Sequence, residues 1–113
     1  MTYYTTKTAF GSTMNIASEV FVQAAKNTLD KLVSNELKDT ICLKSGRKTC
    51  KVLCEIDKRN KINVNVEIFM YAGQIANSAT GLIQQSIYDE IYEITEISNV
   101  KVNVIVLGFV QKK

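Results

Sequence analysis

The sequence predicts a single α+β domain: a two-layer sandwich with two helices packed on one face of a mixed three- to four-stranded sheet. Three observations carry that prediction. In the stretch beginning at Gln74, Ile75, Ala79, Leu82, Ile83, Ile87, Ile91 and Ile94 recur at three- and four-residue steps, the spacing of one buried helix stripe. Val100, Val102, Val104 and Val106 then alternate with Lys101, Asn103, Ile105 and Leu107, which describes a strand with one face in a core. Just before the helix, Ile62, Val64, Val66, Ile68 and Met70 alternate in the same way. Strand, helix, strand is a crossover unit, so the two strands are expected to be parallel with a right-handed connection.

The remaining elements follow in chain order. Residues 1–11 are polar and unpatterned and read as a flexible tail, leaving 12–113 as the domain. Met14 and Ile16 suggest a brief strand. Val20, Phe21, Ala24, Ala25, Thr28, Leu29, Leu32 and Val33 share one face of a first helix, with Asn15 or Ser18 as its N-cap and Ser34-Asn35 as its end. Ile41-Cys42-Leu43 is extended, and Ser45-Gly46 is a turn. Cys50, Val52, Cys54 and Ile56 alternate with Lys51, Leu53 and Glu55, and the polar run 57–61 makes a hairpin into the next strand. Alternation places both helices over Val64, Val66, Val102 and Val104. The opposite face carries Asn63, Asn65, Glu67, Lys101 and Asn103. Gly108, between the valine run and Phe109, suggests a bend or bulge ending the last strand.

Composition narrows the function classes. The chain has 113 residues, 46% of them hydrophobic and 22% charged, enough to bury a core without metal or disulfide. No apolar run reaches the ~18 residues needed to span a bilayer. The N-terminus lacks the order of a signal peptide. A cytoplasmic location is therefore expected, and three cysteines fit it as reduced thiols. Histidine is absent, which removes the commonest general base and metal ligand. Cys50 and Cys54 are about 13 Å apart by strand rise, too far to share a metal. Ser45-Gly-Arg-Lys48 lacks the spacing of a phosphate loop. No catalytic residue, cofactor or metal site is expected, nor a tight small-molecule ligand.

Charge is more informative. Lys44, Arg47, Lys48, Lys51, Lys58, Arg59 and Lys61 crowd one hairpin region, a candidate contact for an anionic surface. No Lys or Arg occurs from 62 to 100, where Glu67, Asp89, Glu90, Glu93 and Glu96 lie. Tyr88, Asp89, Tyr92 and Glu93 form a candidate partner patch. Phe69, Ile105, Leu107 and Phe109, joined by Leu53, fall on the face away from the helices and form a candidate self-association patch. Oligomers of this chain are expected on that ground, the alternative cover being the N-terminal tail with Tyr3, Tyr4 and Phe10 folded over the patch within one chain. A small RNA-binding domain using the basic hairpin is the alternative. Nucleic acid is the less favoured partner, because no aromatic stands among those cations to stack a base.

The segment Thr95-Glu-Ile-Ser-Asn-Val-Lys-Val-Asn-Val-Ile-Val-Leu-Gly-Phe109 resembles the closing strand of the alkaline shock protein family of Gram-positive and related bacteria. The stretch from Ile62 to Tyr71 and its following helix look like that family's strand-Tyr-helix unit, and Ile16-Ala-Ser-Glu-Val20 like its opening step. The resemblance covers most of the chain from about Ser12 to Phe109. Glu96 stands where the family commonly has Gly, and Ala76 where it commonly has Pro. The resemblance implies a non-catalytic cytoplasmic scaffold of the envelope stress response, self-assembling and sometimes held at the inner face of the membrane. Its implied partners are a membrane anchor protein or a fatty-acid kinase-like protein of lipid metabolism. It brings no catalytic residues.

Overall fold

The computed structural model describes residues 3–73 and 76–111. Strands β1 (Tyr3–Lys7) and β2 (Thr13–Ala17) form an antiparallel hairpin that feeds helix α1 (Ser18–Ser34). Three two-residue strands follow: β3 (Ile41–Cys42), β4 (Lys44–Ser45) and β5 (Lys48–Thr49). Then come β6 (Lys51–Ile56), β7 (Ile62–Tyr71), helix α2 (Ala76–Thr95) and β8 (Val100–Val110). The α+β architecture matches the expectation.

The central strand is β7. It pairs along its length with β8 in parallel, Ile62 opposite Val100 and Val66 opposite Val104. Its other edge is shared end to end. β6 runs antiparallel against Ile62 to Glu67, and β3 against Phe69 and Met70. Ile62, Val64, Val66, Ile68 and Met70 are fully buried beneath the helices, as alternation requires. α1 closes this face with Phe21, Ala24, Ala25, Leu29 and Leu32, and α2 with Ala79, Ile83, Ile87 and Ile91. The single buried hydroxyl in this face of α1, that of Thr28, donates to the Ala24 carbonyl one turn back at 3.0 Å.

The stripes are narrower than the sequence suggests. Val20, Leu82 and Ile94 are 40%, 37% and 55% exposed. Val20 and Leu82 sit one position beside the buried Phe21 and Ile83, and Ile94 sits three beyond the buried Ile91, so apolar spacing alone does not separate the flank of a stripe from its centre. Ile75 lies outside the described residues.

The N-cap of α1 is Ala17, with no side-chain cap bond, rather than Asn15 or Ser18. Asn15 instead accepts a bond from the Thr5 hydroxyl at 2.9 Å within the hairpin. At the far end Asn35 closes the helix, its amide bonding the Leu32 carbonyl and its side chain the Lys31 carbonyl.

Residues 3–7 correct the expectation of a loose tail. Tyr3-Tyr4-Thr5-Thr6 is a run of strand formers, and Asn60 holds it. The Asn60 carboxamide accepts from the Thr5 amide at 3.1 Å and donates to the Thr5 carbonyl, taking the place of a neighbouring strand. Asn60 can do so because it turns the β6–β7 hairpin with φ +64°, a conformation asparagine tolerates better than most residues. Asn99 in turn donates to the Asn60 carbonyl.

A bulge interrupts β8, as suspected near Gly108. Ile68 pairs with Val106, but Phe69 pairs with Gly108, leaving Leu107 as the extra residue. The strand continues beyond it to Val110, so the bulge turns side chains over rather than ending the ladder.

Candidate functional site: an open strand edge and the sheet face beside it

The bulge decides which side chains share the sheet face away from the helices. Ahead of it, Leu53 opposes Asn65, which opposes Asn103, and Lys51 opposes Glu67, which opposes Ile105. The centre of this face is polar: Asn103 donates to Asn65 across the strands at 2.9 Å. Past the bulge, Phe109 pairs with the core residue Met70, so it has crossed to the helix side, 60% exposed. Phe69 keeps its place on the far face but is only 6% exposed, and a Cβ at position 108 would meet its ring at 3.8 Å. The expected patch of Phe69, Ile105, Leu107 and Phe109 therefore does not exist as one surface. Ile105 and Leu107 remain on it, 42% and 46% exposed, with Leu53 at 51%. A bulge slips the register by one residue, and strict alternation carried Phe109 to the wrong face.

The basic residues are likewise divided. Arg47, Lys48 and Lys51 converge with Leu107 and Glu67 on a cavity of about 240 Å³ at the β4–β5 end of the far face. The turn that presents Arg47 depends on Gly46 at φ +63°, the two-residue hairpin geometry that glycine supplies. Lys44 lines a different cavity, beside Leu29, Asp30 and Lys26 of α1. Lys58, Arg59 and Lys61 sit at the other end of β6, about 17 Å of strand away. There the Asp57 carboxylate accepts from the Arg59 and Lys61 amides at 2.8 and 3.0 Å and shapes the turn. Sequence proximity put the seven cations together, and the strand between them takes them apart.

The Tyr/acid patch is also split by role. Tyr88 is half-buried against the core and its hydroxyl donates to the Ser98 carbonyl at 3.3 Å. Tyr92, Asp89 and Glu93 are exposed, and Asp89 accepts from Gln85 at 2.8 Å. Tyr88 thus lines an open groove of about 370 Å³ between α2 and β8, together with Gly81, Gln84, Gln85, Val100, Lys101 and Val102.

That groove marks a feature that sequence pattern did not reveal. Among the described residues β8 pairs with β7 alone, on one side. The Gln84 side chain donates to the Val102 carbonyl at 3.2 Å, which shows that the backbone of Val102 points outward from the sheet. By alternation the backbone groups of Val104 and Val106 also point outward. Among the described residues no hydrogen bond reaches them. Gln84 and Tyr88 cover the first part of the β8 edge and leave 104–110 open. This stretch contains no charged residue and no proline, the devices that usually blunt a free edge.

The thiols behave as the strand pattern predicts. Cys54 opposes Val64 on the core face, and Cys50 packs against the same core. Burial raises the pKa of the Cys50 thiol. Burial, aided by the Glu55 charge, pushes that of Cys54 up to about 11 from 9.0. Near neutral pH the thiolate of Cys54 is then scarce, and alkylation is expected to run roughly 100-fold slower than in the unfolded chain. Labelling as fast as in denaturant would mean that β6 is inverted. The shift also has a sign for stability. The unfolded thiol ionises first, so the stabilising contribution is complete below pH 9 and is lost as pH rises towards about 11.

Among the described residues no group of His, Cys, Asp and Glu is placed to hold a metal ion, and no helix is long and apolar enough to cross a membrane. Comparison with protein-family models, with curated proteins and with solved structures finds no match to this chain.

Proposed function

We propose that this chain is a non-catalytic, self-associating scaffold or adaptor of the alkaline-shock type, working in the cytoplasm at the inner side of a bacterial envelope. Its partners in this reading are copies of itself and a protein such as a membrane anchor or a fatty-acid kinase-like enzyme. The observation that carries self-association is the open edge of β8, whose outward groups at Val104 and Val106 have no partner within the described chain. A strand added there gains main-chain hydrogen bonds and covers Ile105 and Phe109. Two copies that pair β8 edge to edge, antiparallel, would close as a two-fold dimer. The likeness to the alkaline shock family is supported at one backbone position. Glu96, which stands where the family commonly has Gly, has φ +60° and caps α2 through its amide to the Tyr92 carbonyl. Glycine is the residue that adopts this conformation without strain. The absence of histidine supports the non-catalytic part of the reading.

Val104→Pro removes an outward amide while leaving the β7 side of the ladder in place, a substitution that edge positions tolerate. Sedimentation is expected to show the wild type as a dimer or larger and the variant with a dissociation constant raised about 10- to 100-fold. Ile105→Lys, which places a charge on the same edge, should act alike. Wild type and both variants sedimenting as monomers would overturn the proposal.

A further inference from the structure

We infer that the sheet face around Arg47, Lys48 and Lys51 docks on an anionic lipid bilayer. This lies beyond the scaffold reading, because it names a lipid contact made by the domain itself and does not depend on self-association.

Three observations lead to it. The three cations surround one cavity whose other walls are Leu107, Thr49 and Glu67, so three positive charges face one carboxylate, a local excess of two. Leu53, Ile105 and Leu107 stand exposed on the same face of the sheet, at 51%, 42% and 46%. Cations interleaved with exposed aliphatic side chains on a flat surface suit a headgroup layer, where the cations meet phosphate and the aliphatic groups reach the acyl boundary. The third observation is the placement of the acids. Asp89, Glu90, Glu93 and Glu96 lie in the last turns and cap of α2. The chain returns from there to Asn99, whose carbonyl accepts from Ile62 at the opposite end of β7 from Phe69. These four acids are thus on the other layer and at the other end of the sheet, while Asp30 stands beside Lys44 and Glu55 lies at the far end of β6. This charge separation turns the Arg47 face toward a negative surface and the acidic helix end away from it.

The same features separate a bilayer from other occupants. Single-stranded RNA is held by aromatic rings between the cations, and none stands among Arg47, Lys48 and Lys51; Phe69, nearest in sequence register, is buried. A second copy would present this same positive face. The turn with Lys58, Arg59 and Lys61 is not part of the proposal, since it lies at the other end of β6 beside the acidic end of α2.

The test is co-sedimentation of the full chain with vesicles of phosphatidylglycerol and phosphatidylcholine, against pure phosphatidylcholine and against a mixed-sequence single-stranded RNA. Binding is expected to the anionic vesicles only, and to fall as salt rises above about 0.1 M. Arg47→Gln with Lys48→Gln should lower the partition coefficient roughly 30-fold, at about 1 kcal/mol per cation removed. Lys58→Gln with Arg59→Gln should change it less than about threefold. Leu53→Asn with Leu107→Asn should weaken vesicle binding as well, which phosphate contact alone would not require. Unchanged circular dichroism in each variant confirms that the fold is kept. The proposal is overturned by no binding to anionic vesicles at low salt, by equal loss in the Lys58 and Arg47 variants, or by RNA binding tighter than vesicle binding.

Discussion

Phe21→Ala is expected to lower the stability of the fold by about 3–5 kcal/mol, a loss large enough to leave a domain of this size marginal. Phe21 has no exposed surface and is the largest side chain that α1 contributes to the core. Its neighbours on the helix, Ala24 and Ala25, are small and buried, so little side-chain volume is at hand to fill the void. Denaturant unfolding of the two proteins measures the difference. A loss below about 1 kcal/mol would mean that α1 is held by its hairpin rather than by burial.

The second large effect is a contrast between adjacent residues. Ile83→Ala is expected to cost about 2–5 kcal/mol and Leu82→Ala less than about 1. Both belong to the apolar stripe as read from spacing, yet Ile83 is fully buried and Leu82 is 37% exposed. Equal losses would show α2 rotated about its axis from the orientation described.

That contrast shows how much was legible in the sequence. The order of β2, α1, β6, β7, α2 and β8, the parallel β7–β8 pair and the buried valines all follow from periodicity, because a pattern of two or 3.6 is fixed by where the core lies. Cys54 and Leu53 fall on the faces that alternation gives them. The failures share a cause, which is that they depend on a partner distant in sequence. β1 is held by Asn60, 55 residues from Thr5. Phe69 and Phe109 part company because of a bulge defined only by register between β7 and β8. The seven cations separate because β6 runs between them. A hint of β1 was present in the run Tyr3-Tyr4-Thr5-Thr6, and a hint of the bulge in Gly108.

The open edge of β8 was not legible at all, since it rests on which strand pairs with which. It also meets the sheet face argued to contact lipid, and Ile105 belongs to both surfaces. Self-association along the edge would leave the Arg47, Lys48 and Lys51 cluster free, so copies joined through β8 would present several basic faces to one membrane. Even weak individual contacts become strong when they act together in this way.

Amide hydrogen exchange at Val104 and Val106 tests the open edge most directly. In dilute protein both amides should exchange rapidly, while those of Val64 and Val66 in the central strand stay protected. At higher concentration the amides of Val104 and Val106 should become protected with the mass-action dependence of a dimer or larger assembly. Rapid exchange at every concentration, in protein that remains folded, would contradict assembly through β8.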